Sequence, residues 1–92
     1  MKRYIIERDI PGVGGLDGGQ LKGAAQTSNA ALAKLGPRIK WDHSYVAGDK
    51  TFCVYLAQDE AIIQEHSRRS GFPANKVTEI RRMIDPTTAT EA

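Results

Sequence analysis

The sequence predicts an α+β fold of the ferredoxin-like type, with the element order βαββαβ. Hydrophobic residues repeat with helical spacing in two segments, and four other segments are rich in strand-forming residues. A short turn at residues 47–50 joins two of these strands directly. Because two helices cover only one face of a four-stranded sheet, the other face is predicted to be open.

The first half of the chain is predicted to contain one strand and one helix. Residues 3–8 form the strand, and a proline and five glycines within residues 11–19 then interrupt regular structure. Apolar residues repeat about every 3.6 positions along residues 20–35, which predicts a helix. Gly36 suits the position after a helix and Pro37 cannot continue one, so the helix is predicted to end there.

The second half is predicted to contain two adjacent strands, a helix and a last strand. The adjacent strands are Ile39–Val46 and residues 51–56. Asp59 is a suitable N-cap for a helix over Glu60–Ser70, and a glycine follows that helix. Residues 77–84 contain several β-branched residues and are predicted to form the fourth strand.

Length and composition predict one small domain. The chain has 92 residues, of which 40% are hydrophobic; residues 1–86 are assigned to the domain and the small polar residues 87–92 to a disordered tail. The 13 basic and 11 acidic residues give a net charge of +2, too balanced to favour nucleic acids or membranes. A single cysteine forms no intrachain disulfide and the N-terminal apolar run is too short for a signal peptide, so a cytoplasmic location is expected.

Two motifs for binding nucleotides or RNA are incomplete. Gly12 and Gly14 begin a Gly-x-Gly-x-x-Gly pattern, but Asp17 stands where the third glycine is needed, and its carboxylate would repel a phosphate. The βαββαβ order is shared with RNA-recognition modules, but here Cys53 occupies a position where such a module has a stacking aromatic residue. Neither nucleotide binding nor RNA binding is therefore predicted.

The face occupied by each side chain of the third strand is inferred from hydrophobicity. Phe52, Val54 and Leu56 are the most apolar alternating set, so they are predicted to lie under the helices. Cys53 and Tyr55 are then predicted to lie on the open face. The same reasoning in the first strand predicts that Tyr4 and Ile6 point toward the helices. Ile5 and Glu7 are then predicted to lie on the open face.

The position of His43 has two alternatives. An even number of loop residues pairs it with Val54 and places it on the helix side. An odd number, with a bulge near Gly48, pairs it with Tyr55 on the open face. We favour the bulged register, because it places His43 on the same face as other chemically functional side chains.

His43 and Cys53 are the main candidates for a metal site. Imidazole and thiolate are ligands of nickel, zinc and copper, and Glu7 on a neighbouring strand could add an oxygen. The chain has no Cys-x-x-Cys, His-x-His or His-Glu-x-x-His motif that would support such a site. The alternative is that Cys53 is a small buried residue and His43 a hydrogen-bonded surface or interface residue.

A homodimer is expected from the open face. The residues assigned to it would expose an apolar patch that monomers rarely carry, and a twofold arrangement is the commonest way to cover it. The residues in this predicted patch are Trp41, Tyr45, Cys53, Tyr55 and Met83.

Five segments in order give the chain a resemblance to a known family: residues 4–8, 43–46, 49–55, 71–74 and 84–88. The chain resembles a family of small bacterial proteins, catalogued as a domain of unknown function, with a described nickel-binding member. The resemblance implies a ferredoxin-like fold and a homodimer. It also implies a metal, carried onto His43, Cys53 and Glu7 as chemically suitable matches.

The leading hypothesis is a small cytoplasmic homodimer that binds nickel, or another divalent transition metal, for binding, buffering or sensing rather than for catalysis. A second hypothesis is a dimeric α+β barrel that acts as a small-molecule enzyme or handles haem in the cavity between two sheets. The side chains that would line that cavity are His43, Tyr45, Tyr55 and Glu7. A third is an interaction module without a small ligand.

Overall fold

The computed structural model describes residues 1–90. Its strands are β1 (Lys2–Asp9), β2 (Ile39–Val46), β3 (Lys50–Ala57) and β4 (Lys76–Ile80), and its helices are α1 (Gly18–Leu35) and α2 (Glu60–Ser70). Three short 3-10 helices span Val13–Gly15, Gly36–Arg38 and Pro86–Thr90. The order βαββαβ confirms the predicted element sequence.

The four strands form one antiparallel sheet in the order β2-β3-β1-β4. This is the ferredoxin-like arrangement, in which both crossover connections carry a helix across the same face. Strand β4 ends at Ile80, so the prediction that it extends through residue 84 is wrong. Beyond Ile80 the chain has no pairing partner on β1, and Met83 and Ile84 are exposed.

Helix α1 begins two residues earlier than predicted, because a capping box marks its start. The Asp17 carboxylate accepts a hydrogen bond from the Gln20 backbone N–H at 2.8 Å, and the Gln20 side chain accepts one from the Asp17 backbone N–H at 3.0 Å. These reciprocal bonds satisfy two backbone donors that a helix terminus otherwise leaves unpaired. The helix ends at Leu35, before Gly36 with φ 71°, as predicted.

Helix α2 has the predicted boundaries and caps. Asp59 accepts a hydrogen bond from the Ile62 backbone N–H at 3.0 Å, and Gly71 ends the helix in the left-handed region with φ 80°. Its apolar side packs into the core through Ile62 and Ile63, and His66 is fully buried beside them.

The hydrophobic core lies between the helices and one face of the sheet. Tyr4 and Ile6 of β1 point into it, as predicted. Cys53 and Tyr55 point into it as well, so the prediction that these two side chains occupy the open face is wrong. The reason is the register between β1 and β3: Tyr4 is opposite Tyr55 and Ile6 is opposite Cys53, and paired residues share a face.

The chain after the sheet has little regular structure. Pro86–Thr90 forms an exposed 3-10 helix. The assignment of residues 87–92 to a disordered tail stays a prediction. The last residues of that predicted tail, 91 and 92, lie outside the described residues. Neither helix in residues 1–90 combines the length and hydrophobicity that crossing a membrane requires.

Candidate functional site

The sheet face away from the helices carries polar and apolar side chains in rows across the strands. Paired residues define two of these rows: His43, Val54, Ile5 and Thr78, and next to it Tyr45, Phe52, Glu7 and Lys76. We call this surface the open face. Its side chains are Ile5, Glu7, His43, Tyr45, Phe52, Val54 and Leu56, together with their neighbours on the edge strand β4.

His43 lies on the open face because β2 contains a bulge at Asp42. The register shifts between Trp41, which pairs with Tyr55, and His43, which pairs with Val54. The extra residue sends Trp41 toward the helices and His43 toward the open face. The predicted bulge near Gly48 and the predicted pairing of His43 with Tyr55 are therefore wrong, although the predicted face of His43 agrees with the structure.

The imidazole of His43 is accessible and lies beside a carboxylate. Its side chain is 46% exposed, and Nδ1 lies 3.4 Å from Oδ2 of Asp42. The ring packs edge-on against Tyr45, with 5.1 Å between the ring centroids. Strict alternation would put Asp42 and His43 on opposite faces, so the bulge is what brings these two donor groups together.

Glu7 is on the open face but not near His43 within one chain. Glu7 is opposite Phe52, whereas His43 is opposite Val54 on the far side of β3. Because strands are spaced by about 4.8 Å, the two backbones are separated by about 10 Å or more. The Glu7 carboxylate instead accepts a hydrogen bond from Lys50 Nζ at 3.4 Å.

Lys50 is paired with two carboxylates at the end of the hairpin. Its ammonium is 3.4 Å from Glu7 and 3.5 Å from Asp9. The hydrogen bond to Glu7, followed by the charge of Asp9, raises the pKa of the Lys50 ammonium above its ordinary value. Any cation that binds Glu7 therefore competes with Lys50 for the same oxygens.

Cys53 lies on the other side of the sheet from His43. Its side chain is buried in the helix-covered core, with Sγ 3.5 Å from the Thr51 hydroxyl oxygen. A metal ion on the open face of one chain therefore cannot contact both His43 and this thiol. Within residues 1–90, no group of three or more histidine, cysteine or acidic side chains is close enough to hold a metal ion.

A buried polar cluster under the helices was not anticipated from the sequence. Ser28 Oγ lies 3.1 Å from His66 Nε2 and 3.4 Å from the Tyr55 hydroxyl. The guanidinium of Arg8 lies near the face of the Tyr55 ring, 5.9 Å from its centroid. One feature of the sequence that could have indicated this cluster is Ser28, a polar residue on the apolar side of a helix. The contact between Tyr55 and Arg8 could not be predicted while Tyr55 was assigned to the open face.

Two side chains of this cluster have pKa values shifted from their ordinary values. Burial, followed by the charge of Arg8, lowers the pKa of His66 to about 4, so its imidazole is neutral near pH 7. Burial also raises the pKa of the Tyr55 hydroxyl, against the opposing effects of Ser28 and Arg8. Arg8 is thus the one charged member of this cluster near pH 7.

Comparisons with known proteins agree with this fold. The crystal structure of SCO4226 from Streptomyces coelicolor A3(2) is similar, with a TM-score of 0.73 at 17% sequence identity. The match covers 89% of this chain and 99% of that chain. No curated protein matches the sequence.

The family that the sequence resembles is also identified. The sequence model of a family described as nickel responsive protein SCO4226-like matches residues 4–80. This confirms the resemblance to a small bacterial family with a nickel-linked member. Because the match covers most of the 92 residues, the chain belongs to the SCO4226-like family of nickel responsive proteins.

Proposed function

We propose that this protein is a small homodimer that binds nickel at His43 on the open face and serves in nickel binding, buffering or sensing. Membership of a family described as nickel responsive supports the choice of metal. The observation that carries the site is the accessible His43 imidazole with the Asp42 carboxylate 3.4 Å away. The proposed location is the cytoplasm, since a single cysteine forms no intrachain disulfide.

The donor types suit nickel, but one chain supplies too few of them. Imidazole nitrogen and carboxylate oxygen both bind first-row divalent metals. His43 and Asp42 offer two such groups together, whereas no cluster of three occurs within residues 1–90. The proposed site therefore requires further ligands from outside the chain, namely water or a second copy.

A second copy would supply those ligands if two sheets pack through their open faces. Both helices lie on the other face, so within residues 1–90 neither helix covers Ile5, Phe52 and Leu56. A twofold arrangement would bring the donors of one open face to those of the other, including the partner's Glu7. Cys53 is left out of the proposed ligand set, because its thiol lies on the helix-covered face.

The structure removes one residue from the cavity of the alternative hypothesis, a dimeric barrel that acts as an enzyme or handles haem. That hypothesis placed Tyr55 in the cavity between two open faces, but the Tyr55 ring lies under the helices. The residues it retains there are His43, Tyr45 and Glu7. No observation favours it over metal binding.

Nickel titration of protein made without a metal-affinity tag tests the proposal. Calorimetry is expected to show saturable binding, and His43→Ala is expected to weaken it by tenfold or more, about 1.4 kcal/mol. Cys53→Ser and His66→Gln are the matched controls, since both side chains lie in the helix-covered core. Both controls are expected to keep the wild-type nickel affinity.

Three results would contradict the proposal in different ways. Absence of saturable binding to the wild type would reject nickel binding altogether. Unchanged affinity in His43→Ala would reject the open-face site. A loss confined to Cys53→Ser would place the metal on the other side of the sheet, in the core around the thiol.

A further inference from the structure

A cavity of about 320 Å³ lies between α1 and the sheet, on the face opposite His43. Its walls come from α1, the glycine-rich loop and the strands, and most of the lining side chains are apolar. The small side chains of Ala24 and Ala25 line it on the helix side, where longer ones would fill the space. Its volume is at the lower end of the range for small-molecule sites.

One strong charge lines this apolar cavity. Arg8 of β1 is only 2% exposed, and its Nη1 donates hydrogen bonds to the carbonyl oxygens of Phe72 at 3.1 Å and Pro73 at 2.9 Å. Its Nη2 is buried without any hydrogen-bond partner. Within residues 1–90, no acidic side chain forms an ion pair with Arg8.

An uncompensated buried charge is expensive. A buried charge without a partner of opposite charge strongly destabilises a protein, and a guanidinium does not become neutral by losing its proton. The two carbonyl oxygens and the Tyr55 ring stabilise the guanidinium in part, but they carry no negative charge. Tyr55 and Ser28 are neutral hydroxyls and His66 is an uncharged imidazole near pH 7. A bound ligand with a negative charge would supply the counter-charge that the ion pairs of residues 1–90 do not give Arg8.

We propose that the cavity binds a small organic monocarboxylate, with its carboxylate paired to Arg8 and its apolar body against the cavity walls. A guanidinium matches a carboxylate in both charge and planar geometry. A more highly charged anion would bring negative charges into an apolar space where only one cation is present to neutralise them. This site is independent of nickel, because the sheet separates it from His43.

The cavity opens at a rim of exposed apolar side chains. Leu21 at the start of α1 is 36% exposed and Val46 at the end of β2 is 46% exposed, and both line the cavity. The glycine-rich loop is held against the hairpin beside this rim, with the Gly14 N–H donating to the Gly48 carbonyl oxygen at 2.8 Å. An apolar tail that extends from the cavity would meet these side chains.

Octanoate and 1-octanol are the probes, because they share an alkyl chain and differ in the charged group. Binding is followed by calorimetry and by the fluorescence of Trp41, which lines the cavity and is the only tryptophan of the chain. We expect the wild type to bind octanoate at least tenfold more tightly than 1-octanol. Failure to bind octanoate, or equal affinity for the two probes, would overturn the proposal.

Three variants assign the effect to the cavity. Arg8→Gln is expected to reduce octanoate affinity at least tenfold and to leave 1-octanol affinity unchanged. Arg3→Gln, which removes an exposed arginine of the same strand, is expected to change neither. Ala25→Leu, which retains Arg8 but fills part of the cavity, is expected to weaken both probes.

Either of two results with these variants would reject the proposal. Octanoate affinity that survives both Arg8→Gln and Ala25→Leu would show that the probe binds elsewhere. Equal losses in Arg8→Gln and Arg3→Gln would show a general effect of surface charge. If Arg8→Gln does not fold, the proposal can still be rejected by Ala25→Leu. It can also be rejected by the comparison of the two probes on the wild type.

Discussion

His66 is a titratable side chain held in an environment that opposes its charge. It is fully buried, its Nε2 lies 3.1 Å from Ser28 Oγ, and its Nδ1 has no hydrogen-bond partner. Burial and the positive charge of Arg8 lower its pKa from 6.5 to about 4. Protonation of this imidazole therefore favours the unfolded chain, where water solvates the charge.

This predicts a specific loss of stability in acid. Between pH 6.5 and pH 4 the unfolded state binds the His66 proton and the folded state does not, so the free energy of unfolding decreases as the pH falls. The full penalty, reached below pH 4, is about 3 kcal/mol, at about 1.4 kcal/mol per pKa unit. Urea unfolding at pH 7 and pH 4 should show a smaller loss in His66→Gln than in the wild type.

Comparing the wild type with His66→Gln separates the contribution of His66 to the acid-induced loss of stability from that of the carboxylates, because the carboxylates titrate in both proteins. His66→Gln is itself expected to be less stable than the wild type at pH 7, because the buried site is shaped for an imidazole. An equal loss between pH 7 and pH 4 in both proteins would contradict the assigned role of His66.

Hydrogen bonds tie the glycine-rich loop between β1 and α1 to the β2–β3 hairpin. The Gly14 N–H donates to the Gly48 carbonyl oxygen at 2.8 Å, and the Gly12 N–H donates to the Asp49 carboxylate at 2.8 Å. A Cβ atom at Gly14 would lie 2.3 Å from the carbonyl oxygen of Ala47. Only glycine permits the two backbones to approach this closely.

Substituting Gly14 and Gly15 one at a time should distinguish two causes of lost stability: a steric clash with the hairpin and a change in chain flexibility. Gly14→Ala is expected to destabilise the fold by about 1–3 kcal/mol, because the loop must move away from the hairpin. Gly15→Ala is expected to change stability by about 0.5 kcal/mol or less, since its Cβ would enter open space. Thermal unfolding of both variants measures this difference, and equal effects would show that the contact is not limiting.

The bulge in β2 decides which chemistry reaches the open face. Because Asp42 is the extra residue, Trp41 packs toward the core and its indole N–H donates to Ser44 Oγ at 2.8 Å on the same side. His43 is left on the open face with Tyr45. A regular β2 that retained the pairing of Trp41 with Tyr55 would place His43 on the helix-covered face beside Trp41, because residues two positions apart share a face of a strand.

The molecule as a whole has one covered and one uncovered sheet face. Both helices pack on the first, whereas the second carries apolar side chains with polar ones around them. The apolar residues of this face are Ile5, Tyr45, Phe52, Val54, Leu56 and Ile80. They replace the predicted patch, since Trp41, Cys53 and Tyr55 lie on the covered side and Met83 lies beyond β4.

Sedimentation at micromolar concentration is expected to show a dimer held through the open face. Phe52→Glu places a charge in this apolar surface and is expected to produce a folded monomer, because the charge would be buried at the interface. Ala30→Glu adds the same charge to an exposed position of α1 and is expected to remain dimeric. A monomeric wild type, or a dimer unaffected by Phe52→Glu, would contradict this interface.

Local patterns predict the order of elements, the C-terminal ends of both helices and the start of α2 in this protein. Helical spacing, the acidic caps Asp17 and Asp59, and the glycines after each helix act over a few residues, so they can be interpreted without knowing the fold. Asp17 also falls within the incomplete phosphate motif, and helical spacing alone predicts a start at residue 20, two residues after the observed start of α1.

Only the tertiary structure decided which side chains share a face. β3 is apolar on both sides, with Cys53 and Tyr55 alternating with Phe52 and Val54, so hydrophobicity could not distinguish its two faces. The face was determined by pairing with β1. The bulge at Asp42 then sent His43 to the face opposite Cys53, because a one-residue shift in register reverses every side chain that follows it.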